Sequence, residues 1–325
     1  MPFTIVQNDI TKIHTDIIVN VANSQLLPGG GVCGAIFEAA GYDKLRKACS
    51  EIKHCDTGNA VITNGFNLCK HIVHTVGPAY KDGRQNEDKL LYSCYKASLD
   101  LAKSVKAESI AFPLISAGIY GYPKREALNI ATKAITDFLS DNDIDVVLVI
   151  YDKHFFEIDR KRFSDLKKCI DKKLDKEEAP FDEITHHTIF FDADVKSFKS
   201  LPPELFMKME SSFSEYLFQL IDSKKMSDKE VYKKANIDRK LFSKIKSPRY
   251  RPSKPTAVAL AIALELDIKK TKILVEKAGY SITHSNKFDI IIEYFISHKV
   301  YDIIEINEAL FEFGQPQLGT GKYDS

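Results

Sequence analysis

The chain has no run approaching the roughly 18 consecutive apolar residues of a membrane span, so the sequence offers no candidate membrane helix. Its first residues, Met1-Pro2-Phe3-Thr4-Ile5, contain no basic segment leading into an apolar stretch, and no signal peptide is expected. Six cysteines (Cys33, Cys49, Cys55, Cys69, Cys94 and Cys169) form no C-x-x-C pair. Such spacing speaks against a zinc site, and the density falls short of a disulfide scaffold. Reduced thiols in a cytoplasm follow as the expectation. Internal repeats and low-complexity tracts are absent. Charge of one sign is also lacking, because the formal net charge is +1, although this total hides any local asymmetry.

What remains is an ordinary globular composition, 44% hydrophobic over 325 residues, enough for about two domains. Up to about residue 165, β-like and helix-like segments alternate. Strands are expected at Phe3–Gln7, Asp16–Asn20, Ala60–Asn64, His71–Thr75, Ser109–Pro113 and Val146–Tyr151, which are rich in Ile, Val and Thr. Helical patterns fall at Ala35–Ala40, Glu87–Lys103 and Pro123–Leu139, the last with apolar Ala127, Ile130, Ala131, Ala134, Ile135 and Phe138 at helical spacing. That alternation argues for an α/β sheet covered by helices on both faces. The charged stretch after Asp165, ending in Ala179-Pro180, reads as the end of a helix and then a connector spanning 166–204, with β-like His187–Phe191 and the pair Pro202-Pro203 inside it. From 205 to 283 the pattern reads as a small all-α domain of five helices, and a helical tail fills 284–325.

Two glycine-bearing turns stand out, Pro28-Gly29-Gly30-Gly31-Val32 and Ser116-Ala117-Gly118-Ile119-Tyr120-Gly121. Each follows a strand-like run and leads into a helix. A turn without Cβ atoms lets backbone N–H groups approach an anion, and the helix start behind it adds partial positive charge. One such turn is a weak signal, since it also serves as a plain strand-to-helix connection. Two in one small α/β domain point to a clamp on a diphosphate.

Asn8-Asp9-Ile10-Thr11, Asp16-Ile17-Ile18-Val19-Asn20-Val21-Ala22-Asn23, the Gly29–Val32 turn, His74-Thr75-Val76-Gly77-Pro78 and the Ala111–Pro123 run together resemble a macrodomain over roughly residues 1–160. The resemblance is to the branch holding the MacroD-type deacylases and the viral macrodomains. It implies a three-layer α/β/α fold with a mixed central sheet, and an ADP-ribose ligand. By the same resemblance Asp9 accepts from the adenine amino group and Ile10 supplies the adjoining backbone contact. Asp9 could equally cap a turn. Tyr151 would pack on the adenine and distal ribose, or simply be core. Gly30, Gly31 and Val32 would face Ser116, Ala117, Gly118, Ile119 and Tyr120 across the diphosphate. Asn23 would orient the proximal ribose and a water, as the catalytic residue. Asn20 reads as a turn residue bracing that loop, and His74 as a structural histidine.

The sequence departs from the MacroD-type pattern at Cys33, where that pattern has a water-activating aspartate, and at Phe37, where histidine is frequent. A neutral thiol is a poor base, so the resemblance implies slow hydrolysis driven by binding rather than by a carboxylate. Cys33 could also be only a small buried apolar side chain. No cofactor is implied, and His54 with Cys49 and Cys55 falls short of a metal site.

In the second half, Asp228–Ala235, the Asn236-Ile237-Asp238 turn and Arg239–Lys246 resemble a Cro/repressor-type helix-turn-helix, with Asp228 and Asp238 as helix caps. Twelve Lys or Arg against three Asp or Glu lie between Lys224 and Lys254. Such a patch fits a phosphate backbone, and the resemblance would place Arg239, Lys240, Ser243 and Lys244 at a DNA groove. Domains of this shape also bind proteins, and basic faces are often merely solvated. The expectation is therefore a hydrolase of ADP-ribosyl or O-acyl-ADP-ribose linkages delivered by its helical domain. The alternative is an ADP-ribose sensor that regulates DNA binding. Oligomeric state stays open.

Overall fold

The computed structural model describes residues 2–151, 163–174 and 211–319. The expected strand His187–Phe191, the Pro202-Pro203 pair and most of the connector lie outside the described residues.

Six short segments pair into one sheet: β1 (Phe3–Gln7), β2 (Ile17–Val21), β3 (Ala60–Asn64), β4 (His71–Thr75), β5 (Ser109–Pro113) and β6 (Asp145–Ile150). Their order is β1-β6-β5-β2-β4-β3, parallel throughout except for the antiparallel β3–β4 pair. Continuous apolar runs such as Val146–Ile150 are what a parallel strand buried on both faces requires. One face is covered by α3 (Glu87–Ser104) and α4 (Lys124–Leu139) through Leu91, Tyr95, Leu99, Ala131 and Ile135. The other is covered by α1 (Gly31–Ala40) and α2 (Tyr42–Ile52) through Ile36, Phe37, Leu45 and Cys49. The three-layer α/β/α fold with a mixed sheet is thus present. α2 was not anticipated: only Leu45 and Cys49 are buried on it, too few to register as a pattern among its charged neighbours.

The remaining helices share a separate core. They are α5 (Ser164–Leu174), α6 (Phe213–Lys224), α7 (Asp228–Lys234), α8 (Arg239–Ile245), α9 (Lys254–Ala263), α10 (Ile268–Lys277), α11 (Lys287–Ser297) and α12 (Ile303–Glu312). α9 is buried on all sides from Thr256 to Ala263, so the others wrap it. Side-chain caps delimit these helices. Ser212 with Glu215 and Ser227 with Glu230 form capping boxes, and Asp238 caps α8. Ser227, not Asp228, caps α7, because its hydroxyl reaches the Glu230 N–H while Asp228 is already helical.

Two boundaries differ from expectation. The start of the 166–204 connector is helix: Leu166 and Ile170 of α5 sit in the helical core, and Lys173 pairs with Glu293 of α11 at 2.5 Å. The C-terminal tail is a joint. Ile303, Ile306 and Leu310 of α12 are buried in the helical core, while Ile304 and Phe311 pack on the α3/α4 side of the sheet. No described helix is long and apolar enough to cross a membrane.

Candidate functional site

A cleft of about 570 Å³ opens at the carboxyl ends of β1, β2, β5 and β6. Parallel strands bring their following loops to one side, which is why ligands of α/β sheets bind there. Every residue that the sequence assigned to the ADP-ribose site lines this one cleft: Asp9, Ile10, Asn23, Gly30, Gly31, Val32, Cys33, Ser116, Ala117, Gly118, Ile119, Tyr120 and Tyr151.

The first glycine turn runs into α1, with Gly30 as its cap residue and Gly31 at φ +61°. Amides of the first helical turn, including those of Gly31 and Val32, have no intrahelical acceptor. Glycine is also needed within α1, because a Cβ on Gly34 would come within 2.8 Å of the Gly29 carbonyl. The second turn is held from outside. Tyr80 N–H donates to Tyr120 O (2.9 Å), Gly121 N–H to Gly118 O (2.9 Å) and Tyr122 N–H to Ser116 O (3.0 Å). Ser116 adopts φ +63° and turns its buried hydroxyl toward Gly77, where a Cβ would meet it at 2.3 Å. The glycine of the Val76-Gly77-Pro78 run therefore makes room for this turn. Within the loop, the N–H groups of Ala117, Gly118, Ile119 and Tyr120 donate to no other group among the described residues. Two sets of open donors thus border the same cleft, a ready site for an anion.

Asp9 caps a turn with one oxygen and keeps the other open to the cleft. Its Oδ1 accepts from Thr11 N–H (2.9 Å) and Thr11 Oγ1 (2.8 Å), capping a 3-10 turn over Ile10–Lys12. Its Oδ2 has no partner among the described residues and remains available as an acceptor. Tyr151 is 81% exposed and Ile119 90% exposed, so neither is core. Both are large apolar side chains on the rim of a cleft, where a ligand would cover them.

Asn23 is largely committed to its own loop. Its Nδ2 donates to Leu27 O (2.8 Å), and its Oδ1 accepts from Gln25 N–H and Leu27 N–H (3.1 Å each). This bracing holds Leu26 buried at φ +58° and leaves one Nδ2 proton for a ligand. Asn20 is not a turn residue. It lies within β2, fully buried, with Nδ2 3.1 Å from His74 Nδ1. His74 Nε2 lies 2.9 Å from Thr63 Oγ1. Burial pushes the His74 pKa down to about 4, so the imidazole stays neutral and structural at physiological pH. Cys33 is 5% exposed, and burial raises its thiol above the ordinary range despite backbone and Asn20 hydrogen bonding. A protonated thiol cannot act as a base. His54, weighed as a metal ligand, instead pairs with Asp56 at the surface (2.9 Å).

The sequence reasoning missed Asn8 and Lys124 in the lining. Lys124 had a signal: a lysine opening a helix stands against the macrodipole, which favours anions there.

The Macro domain family model matches residues 19–131. A Macro domain-containing protein of Methanosarcina mazei is 49% identical over 152 residues, covering 46% of this chain and 81% of that protein. The chain belongs to the macro domain family. An O-acetyl-ADP-ribose deacetylase of Escherichia coli is 45% identical over 163 residues, or 47% of this chain and 92% of that enzyme. A solved Oceanobacillus iheyensis macrodomain with ADP is 43% identical and covers 50% of this chain and 90% of its own, at a TM-score of 0.46.

On the helical body, Arg239, Lys240, Ser243 and Lys244 of α8 are all exposed, as are Arg249 and Arg251 beyond it. Several other cations of the sequence patch are engaged. Lys234 pairs with Glu265 (3.1 Å), Lys246 with Asp228 (2.6 Å) and Lys254 with Asp289 (2.6 Å), while Lys233 reaches the carbonyls ending α4. The open cationic face is therefore narrower than the residue count implies.

Proposed function

We propose that the macro domain binds ADP-ribose and hydrolyses ADP-ribosyl or O-acyl-ADP-ribose linkages. The observation that carries this reading is the set of unoccupied backbone N–H groups on two facing turns, with the free Asp9 Oδ2 at the adjoining wall. A diphosphate supplies anionic acceptors for the first, and an adenine amino group a donor for the second. The name of the Escherichia coli relative supports the ester reaction. For an acyl ester, water attacks the acyl carbon, the bond to the ribose oxygen breaks, and that oxygen takes a proton. The products are the free acid and ADP-ribose.

In this scheme the remaining Asn23 N–H orients the ribose and the water between the two turns. With Cys33 a neutral thiol, no carboxylate activates that water, and general-base help typically worth about 10²–10⁴-fold is missing. The enzyme is accordingly slow. Calorimetry with ADP-ribose, followed by turnover of O-acetyl-ADP-ribose and of mono-ADP-ribosylated protein and DNA, tests the reading. Tight binding with no turnover on any of them would leave the sensor, and full turnover by Asn23→Ala would remove the assigned role.

The helical body supports a second layer of this proposal. Exposed Arg239, Lys240, Ser243 and Lys244 on α8 form a helix-turn-helix-like face suited to a nucleic-acid backbone, which would deliver the enzyme to its target or let ADP-ribose regulate DNA binding. Affinity for duplex DNA that does not fall as salt rises would overturn it.

A further inference from the structure

The sheet ends at β1, and the last strand of a sheet turns the N–H and C=O of every second residue outward without a partner. Here those residues are Phe3, Ile5 and Gln7, and the first two are not left to water. Asn236 Oδ1 accepts from Phe3 N–H (2.7 Å) while Asn236 Nδ2 donates to Phe3 O (2.9 Å). Gln317 Oε1 accepts from Ile5 N–H (3.2 Å), and Gln317 Nε2 donates to Ile5 O. Two side-chain amides stand where two peptide groups of a seventh strand would be.

Both amides come from the helical body. Asn236 sits in the turn between α7 and α8 at φ +53°, and Gln317 follows α12. They are tied to one another: Asn236 Nδ2 also reaches Leu318 O (3.4 Å), and Leu318 is bound through both its backbone groups by Asn307 of α12 (2.7 and 3.1 Å). Gly319 passes so close that a Cβ would lie 2.3 Å from Asn236 O. The clamp is thus a fixed unit, and all its amides are buried.

The strand it grips leads directly into Asn8-Asp9-Ile10, the first wall of the cleft. We propose that Asn236 and Gln317 are positioning residues of the nucleotide cleft, fixing β1 so that the Asp9 carboxylate and the Ile10 N–H meet the base. The proposal rests on the ADP-ribose reading and adds a dependence on the helical body. A second link supports it: buried Glu308 of α12 pairs with Arg125 in the first turn of α4 (3.0 Å), beside Lys124 of the cleft.

The experiment titrates the full chain with ADP-ribose, AMP and inorganic pyrophosphate, comparing wild type with Gln317→Met, Asn236→Asp and Lys173→Met. The last removes a salt bridge inside the helical body, away from β1. Losing one or two such hydrogen bonds should weaken ADP-ribose and AMP about three- to tenfold. Pyrophosphate, held by the glycine turns, should be unchanged, and Lys173→Met should alter none of the three. Unchanged AMP affinity in a folded Gln317→Met protein would overturn the proposal, as would equal losses for AMP and pyrophosphate. Should both clamp variants fail to fold, hydrogen exchange on wild type decides: ADP-ribose must slow exchange of the Phe3 and Ile5 amides, and no change there overturns the proposal. Wild type that binds no ADP-ribose would refute the underlying reading instead.

Discussion

The cleft turns and the β1 edge treat leftover backbone polarity in opposite ways. At the cleft, the amides of Ala117 to Tyr120 donate to nothing among the described residues, although the loop around them is fixed by three backbone hydrogen bonds. At the edge, the groups of Phe3 and Ile5 are matched one by one with side-chain amides. Backbone groups removed from water need partners, so the edge had to be satisfied once a domain covered it. Donors facing an open cleft carry no such penalty and stay available for an anion. An unpartnered amide in a rigid loop is therefore a functional statement, while a matched one is a packing statement.

The largest test of that contrast is Gly30→Glu. No atom lies within 4 Å of a Cβ at Gly30, and its φ of −84° suits any residue, so the fold should survive. A carboxylate among the phosphate oxygens should weaken ADP-ribose binding by more than about 100-fold, as like charges placed together cost several kcal/mol. Calorimetry reads this, and retained affinity would mean that the turn does not hold the diphosphate.

His74 sharpens the buried side of the comparison. Its pKa of about 4 lies below the ordinary 6.5, so the unfolded chain takes up this proton first as pH falls. Its effect on stability is flat above about pH 6.5 and then grows to a loss of about 3 kcal/mol at pH 4. Urea denaturation of wild type and His74→Gln between pH 7 and 4.5 should show a shallower decline in the variant. A parallel decline would mean that the imidazole is solvated.

Cys33→Asp asks what the cleft lacks. Placing a carboxylate at the thiol position should raise turnover of O-acetyl-ADP-ribose by about 10-fold or more, within the range of general-base catalysis. A drop in turnover with unchanged ADP-ribose binding would place the attacking water elsewhere. The smallest effect is expected on the helical face. Lys240→Ala should weaken DNA binding a few-fold and lower the slope of log affinity against log salt by about 1. Filter binding at several salt concentrations would reveal an unchanged slope if Lys240 makes no phosphate contact.

The first half was legible because its chemistry is local. Strand alternation, the two glycine turns and Asp9 each announce themselves within a few residues, and parallel pairing then gathers their loops at one end. α2 escaped because only Leu45 and Cys49 are buried on it. Asn20 was misplaced because an asparagine in a central strand needs a buried partner, and His74 lies far along the chain. The clamp was invisible for the same reason at greater range: Asn236 and Gln317 meet residues 233 and 312 positions away. The cationic patch was overstated because a count of residues does not reveal which ones pair with Glu265, Asp228 or Asp289.

The covered margin of the sheet also has a bearing on solubility. A fragment cut after Tyr151 would strip away both amide side chains and present a bare β1 to its neighbours. Copies of such a fragment could zip together margin to margin, the hazard that uncapped strands carry in general. Within the intact chain, the helices act as a built-in guard against that self-association.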